Sequence, residues 1–238
     1  AHYDHRSGPQ HSIPASALPE TAVPVQPTTD GRFTCANRLN TPARLSAAPK
    51  APIQSFQDHI ESLPMWKWEL LHGIFTTNDF DTLSQHLSQG DQLLTCSDGG
   101  AKRNDGSFGW VIATNTTLLW ECIGLAPGWY SNSFRSEGVG QLAVLVFLET
   151  FFEHCQLHDI AIPTDTASSP WIRIATDNQG LIDRIRAGLE AKTAFAGAGL
   201  SPECDVAHET VEIAKRLPIP LAWEHVKGHQ DAKQKWCE

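Results

Sequence analysis

The segment that most restricts the fold runs from Ser133 to Cys155, where Leu142, Leu145, Val146, Leu148, Phe151 and Phe152 recur at helical spacing with no internal proline. This spacing predicts one long core helix. Its most apolar stretch, Leu142 to Phe152, is short and contains Glu149, well below the roughly 20 apolar residues a membrane span requires. No membrane partner is expected.

Strand patterns surround that helix. Leu93-Leu94-Thr95-Cys96-Ser97 is a short apolar run that meets Asp98-Gly99-Gly100, a strand carrying a carboxylate into a turn. Ser107 to Thr114 and Leu118 to Leu125 follow, joined by Asn115-Thr116-Thr117, so the first three strands form an antiparallel meander. Beyond the helix come a strand over Trp171 to Thr176, helices over Leu181 to Leu189 and Asp205 to Leu217, and a strand over Ile219 to Val226. The order predicts an α/β fold with a mixed five-stranded sheet, three strands antiparallel and two parallel, and flanking helices.

Residues 1–55 read differently. Pro9, Pro14, Pro19, Pro24, Pro27, Pro42, Pro49 and Pro52 interrupt every candidate element there, in a background rich in Ala, Ser and Thr, which predicts a disordered linker. Residues 56–90 show apolar residues near helical spacing, broken by Pro64 and Gly73, and read as short helices with Trp66 and Trp68 packed on a neighbour. The dense globular pattern occupies 91–238. The chain starts at Ala1 with no basic-then-apolar leader, so an intracellular, non-secreted piece of a longer protein is expected, cytoplasmic or nuclear.

Six scattered cysteines form neither a disulfide framework nor a close metal-binding pair. The net charge of −9, from 18 Lys and Arg against 27 Asp and Glu, repels a phosphate backbone, so any nucleic-acid contact depends on local basic groups or bound cations.

Three acids stand where chemistry concentrates: Asp98 at the end of the first strand, Glu137 in the first turn of the long helix, and Asp177 at the end of the fourth strand. Ligands of open α/β sheets collect at the carboxyl ends of strands whose connections diverge. Like charges about 4 Å apart repel by roughly 4 kcal/mol at an effective dielectric near 20, so such a trio requires cations or protons. Oxygen-only donors favour Mg²⁺ or Mn²⁺.

Each acid also has a blander reading. Asp98 could be a turn carboxylate before Gly-Gly, Glu137 an acid favoured by the helix dipole with Ser133 as cap, and Asp177-Asn178 a cap for the next helix. Cys204-x-x-x-His208 and His225-x-x-x-His229 have zinc-like spacing but lie across element ends. Gly138-Val139-Gly140-Gln141-Leu142-Ala143 lies inside the predicted helix, where a dinucleotide loop cannot form. Trp110, Trp120, Trp129 and Trp223 read as core or sheet-face residues.

Around the acids, Ser97-Asp98-Gly99-Gly100, Phe134-Arg135-Ser136-Glu137, Thr176-Asp177-Asn178-Gln179 and Val226-Lys227-Gly228-His229 resemble, in order, the four signature blocks of type 1 ribonuclease H, in the style of retroelement polyproteins. The resemblance covers about Leu93 to the end. It implies that Asp98, Glu137 and Asp177 hold two Mg²⁺ ions, with Mn²⁺ as a substitute, and that the RNA strand of RNA/DNA hybrids is cleaved to 5′-phosphate and 3′-hydroxyl ends. It further implies that His229, on a mobile loop, assists proton transfer or product release, and that Gly99, Gly100, Asn104, Arg135 and Gln179 contact the hybrid.

Two departures accompany the resemblance. The family's fourth acid lies on a final helix beyond the histidine, and only Asp231 and Glu238 follow His229 here, so the domain is expected to be C-terminally incomplete. Lys192 to Pro202 is rich in Gly and Ala where some members carry a basic substrate-binding arm, which assigns hybrid affinity to neighbouring polyprotein domains. The rival readings are an inactive remnant that only binds nucleic acid, and another polynucleotidyl transferase or exonuclease of the same fold.

Overall fold

Ten residues of one strand, Leu93–Lys102, hold the centre of the molecule, with an antiparallel neighbour on one side and a parallel neighbour on the other. The computed structural model describes residues 25–27, 33–35, 53–75, 79–127, 131–162, 172–191 and 203–228. The chain divides into two units, Ala1–Pro52 and Ile53–Glu238. In the first, β1 (Val25–Pro27) pairs antiparallel with β2 (Phe33–Cys35), Val25 opposite Cys35, within the region read as a linker.

The second unit contains α1 (Phe56–Ser62), α2 (Met65–Leu71), β3 (Ile74–Phe75), α3 (Phe80–Ser88), β4 (Leu93–Lys102), β5 (Asp105–Ala113), β6 (Leu118–Ala126), α4 (Ser133–Leu157), β7 (Ile172–Thr176), α5 (Gln179–Glu190), α6 (Cys204–Arg216) and β8 (Leu221–His225). The sheet runs β3-β6-β5-β4-β7-β8. The neighbouring pairs β3–β6, β6–β5 and β5–β4 are antiparallel, while β4–β7 and β7–β8 are parallel. The α/β class with a mixed sheet holds, with six strands rather than five. The sixth is β3, whose Ile74 and Phe75 pair with Cys122 and Glu121; two residues are too few to show a strand period, and Ile74 continues the apolar spacing of α2.

The first central strand also runs further than its sequence suggests. Instead of turning at Gly99-Gly100, β4 continues to Lys102, and the reversal falls on Arg103 and Asn104, both at positive φ. Two consecutive left-handed residues match the twist of a tight hairpin. No glycine marks this turn.

Burial on α4 is almost complete from Gly138 onwards, so neighbours must cover the helix on every side. The sheet lies against one side, with α6, α2 and α1 against the others. Phe56, held at the start of α1 by a Ser55–Asp58 capping box, meets Trp120, Phe147 and Phe151 edge to face at centroid distances of 5.7, 5.6 and 6.0 Å. Each such pair adds about 0.5–1.5 kcal/mol beyond area burial, so α1 is part of this core. Trp110, Trp120 and Trp223 are buried, as expected; Trp129 lies outside the described residues.

One charged group interrupts the apolar interior. The Glu149 carboxylate of α4 is buried and accepts from Lys67 Nζ of α2 at 2.7 Å and Arg216 Nε of α6 at 2.8 Å. Three helices share this ion cluster. Cys96, Cys122 and Cys155 are free thiols, and burial pushes Cys122 and Cys155 up to about 12. No helix among the described residues is long and apolar enough to cross a membrane.

Candidate active site

Strands β4 and β7 separate at the point where the acids gather. Their parallel register ends at Cys96 opposite Ala175, Asp98 follows two residues later on β4, and Asp177 follows Thr176, the last residue of β7. Asp98 pairs across the other edge with Gly109, and its Oδ1 accepts from the Gly99 amide at 2.7 Å. It is exposed in mid-strand rather than at a strand end.

Glu137 is brought over these two by close helix–strand contact. A Cβ added at Gly99 would stand 2.3 Å from the Ser136 carbonyl carbon and 2.4 Å from the Glu137 amide nitrogen, and one at Gly140 would stand 3.4 Å from the Asp98 carbonyl oxygen. Glycine at 99 is therefore required for the approach of α4, not for a turn. Glu137 is the fifth residue of α4, so it begins the second turn; the N-cap is Asn132, whose side chain accepts from the Arg135 amide. Ser133, read as the cap, instead donates from its hydroxyl to Glu137 Oε1 at 3.5 Å.

The electrostatics bind the three acids into one site. Burial, then the negative charges of Asp177 and Asp98, push the Glu137 carboxyl above the usual carboxylate range, and the side chains of Asn178 and Ser133 pull the other way. Glu137 Oε2 is buried with no hydrogen bond of normal geometry. Burial and the same two aspartates also raise the Cys96 thiol.

The loop after β8 closes the other flank. Val226 donates its amide to the Thr176 carbonyl at 3.0 Å, His225 Nε2 lies 3.1 Å from the Asp177 carbonyl oxygen, and a Cβ on Gly228 would stand 2.1 Å from Asp177 Oδ2. The glycine lets backbone approach the Asp177 carboxylate closely. His229, Asp231 and Glu238 lie outside the described residues.

The remaining residues expected to contact substrate sit on separate elements. Gly100 has open space where a side chain would project. Asn104 sits at the hairpin tip, and its carbonyl accepts from Ser131. Gln179, exposed at the start of α5, donates to Asp183 at 2.7 Å. The Arg135 guanidinium is engaged by Glu203 at 2.6 Å, Asp205 at 2.9 Å and the Pro127 carbonyl at 2.9 Å, tying the start of α4 to the start of α6. Asn178 caps α5, as one reading of Asp177-Asn178 had it, its side chain accepting from the Leu181 amide at 2.9 Å; what the sequence did not show is that Asn178 also acts on Glu137 and that Gly228 lies against Asp177. Sequence reading also missed Gln141, one turn beyond Glu137 and buried with both amide atoms unpartnered.

The donor set suits a hard divalent cation: three carboxylates, one with a buried oxygen free of hydrogen bonds. Among the described residues no group of three or more His, Cys, Asp or Glu side chains is placed to hold a metal ion by itself. Mg²⁺ does not require one, since it keeps several waters and binds through one or two carboxylates plus substrate phosphates. These carboxylates would serve Mg²⁺ only in that open manner, with waters and substrate oxygens completing its shell.

Two predictions follow from this packing and charge. Gly99→Ala forces a methyl group into the α4 backbone and costs about 1–3 kcal/mol, whereas Gly100→Ala leaves the midpoint of thermal unfolding unchanged; calorimetry on the pair checks both. In cation-free protein, the raised Glu137 means that the folded state binds a proton more tightly than the unfolded chain. Its contribution to stability is thus present below the ordinary carboxylate pKa and lost as pH rises through the folded value. Glu137→Gln, which cannot ionise, therefore melts above wild type at about pH 7, and the gap closes towards about pH 4; a positive gap that persists at the acid end contradicts the charge argument.

No family model and no curated protein matches the chain. Among solved structures, it is similar to LC11-RNase H1 in complex with an RNA/DNA hybrid, at 14% identity and a TM-score of 0.41, covering 60% of this chain and 90% of that one. It is also similar to the N-terminal RNase H domain of a Mycobacterium tuberculosis protein, at 14% identity and a TM-score of 0.40 over 60% and 86%. A third, RNase H1 from the archaeon Halobacterium salinarum, shares 15% identity with a TM-score of 0.36 over 60% and 90%. The solved neighbours are RNase H1 domains of low sequence identity.

Proposed function

We propose that the chain is an endonuclease of the ribonuclease H kind, of retroelement type, that hydrolyses the RNA strand of RNA/DNA hybrids. The observation that carries the reading is the close packing of the Ser136–Glu137 backbone on Gly99 of β4, with both Asp98 and Asp177 acting on the charge of the half-buried Glu137 carboxyl. Asp98, Glu137 and Asp177 would hold two Mg²⁺ ions, or Mn²⁺ in their place. When bound, such a pair activates a water for in-line attack and stabilises the leaving oxygen.

The protein's own groups place the substrate. The Gly99 and Gly100 backbone beside Asp98, Asn104 at the hairpin tip and Gln179 at the start of α5 are proposed to touch the hybrid. Polar groups at these positions can read 2′-hydroxyls across a wide minor groove. Arg135 fixes the start of α4 and hence Glu137. His229 follows the glycine that lies against Asp177 and is proposed to move a proton or promote product release. With a net charge of −9, hybrid affinity is assigned to the bound cations and to other domains of a parent polyprotein, in cytoplasm or nucleus.

A labelled RNA/DNA hybrid incubated with Mg²⁺ or Mn²⁺, beside RNA/RNA and DNA/DNA duplexes, tests the proposal. The expected result is cutting of the hybrid's RNA strand alone, leaving 5′-phosphate and 3′-hydroxyl ends. Equal cutting of the duplex controls rejects the assigned substrate. A second reading, an inactive domain that binds nucleic acid, draws on the absence among the described residues of any group of three or more His, Cys, Asp or Glu placed to hold a metal ion; it predicts hybrid binding indifferent to Mg²⁺, with no cleavage by folded protein.

A further inference from the structure

Away from the acids, α1, α2 and β3 form a short groove. Its volume is about 230 Å³, walled by Ile60 and Glu61 of α1 and by Trp68, Leu71 and His72 at the α2 side, with Ile74 beneath. Leu71 is fully buried, whereas the adjoining surface of α2 is not: Met65 is 70% exposed, Trp66 42% and Trp68 36%. Met65, Trp68 and His72 recur at helical spacing on one face, and the Trp68 and His72 rings stack at 4.9 Å with 22° between their planes. Large exposed apolar groups clustered beside a cleft mark an interaction surface rather than ordinary surface scatter.

Charge decides what the surface accepts. Asp58, Glu61 and Glu69 are exposed on the same two helices. The single lysine of α2 does not balance them, because Lys67 Nζ turns inward to the buried Glu149 at 2.7 Å. The groove therefore presents aromatic rings and an aliphatic floor within an acidic rim. Nucleic acid is disfavoured by the carboxylates, and a second copy of this chain by its net charge of −9. The volume lies below the roughly 300–1,000 Å³ usual for a small-molecule site and suits one or two inserted side chains.

We infer that this groove docks a short extended segment of a partner protein, one that inserts an apolar side chain beside Trp68 and carries Lys or Arg against Glu61 and Glu69. Aromatic-lined grooves recognise extended peptides in this way, and opposite charge on the rim steers and orients them. The inference is independent of the nuclease reading, since no residue of the groove belongs to the acidic site.

The test uses the full chain and three sets of short labelled peptides of matched apolar content, cationic, neutral and acidic, at about 0.15 M salt. The cationic set is expected to bind, to change tryptophan fluorescence, and to lose at least about tenfold in affinity with Glu61→Lys or Trp68→Ala, both at helix surface positions. Retention of the unfolding midpoint and of the far-ultraviolet circular dichroism by these variants shows that the fold is intact. Absence of binding by the cationic set, equal binding by the acidic set, or binding unchanged in both variants overturns the inference. So does a groove blocked instead by self-association, seen in sedimentation and relieved by Trp68→Ala, or occupied by a single-stranded oligonucleotide in competition with the peptides.

Discussion

Glu149→Leu is expected to destabilise the protein by about 3 kcal/mol or more, a large fraction of a typical domain's total. The substitution removes the buried carboxylate that Lys67 and Arg216 share. Arg216 is half exposed and can turn to water, but Lys67 is buried along most of its side chain and loses its partner. Breaking a buried pair from one side leaves an uncompensated charge, which is why the cost exceeds the worth of the pair itself. For a domain of this size each kcal/mol moves the midpoint by about 2–4 °C, so a fall of about 6–12 °C follows. Adding Lys67→Met removes the stranded charge and recovers most of the loss. Calorimetry that finds the double variant no better than Glu149→Leu would show that volume, not charge, governs this position.

Asp98→Asn is expected to lower hybrid cleavage by at least about a hundredfold while the fold is kept, since it removes one of the three carboxylates proposed to hold the metal ions. The side chain is exposed, and its one described bond, from the Gly99 amide to Oδ1, can be accepted equally by the asparagine carbonyl. What changes is charge. Removing one negative charge also relieves Glu137, so the variant should melt at or slightly above wild type in cation-free buffer. A loss of cleavage that travels with a loss of folding would remove Asp98 from the chemistry.

Much of this architecture was legible because burial leaves a period in sequence. The run of apolar residues without proline set the start of α4 at Ser133 and its end within two residues of Leu157. Pairings between distant elements were not legible. Glu149 looked like a single acid in an apolar run, because Lys67 and Arg216 lie 82 and 67 residues away. Phe56 carried no sign that α1 completes the core, since its aromatic partners sit on β6 and α4. Gly99-Gly100 pointed to a turn because glycine serves two purposes, positive φ and close approach, and sequence alone does not separate them. Here the first glycine admits the α4 backbone, and the turn fell to Arg103 and Asn104; asparagine tolerates the left-handed region, but arginine carries no such preference. The three acids were found as separate strand and helix positions; what sequence could not supply was the effect of Asp98 and Asp177 on Glu137, which depends on packing at the end of the β4–β7 register.

The most direct measurement is the initial rate of hybrid cleavage against Mg²⁺ concentration, for wild type and Asp98→Asn, at temperatures where both are folded. The account predicts a saturable, metal-dependent rate in wild type that is confined to the RNA strand and lost in the variant. Metal-independent cutting, or equal rates for the two proteins, would contradict it.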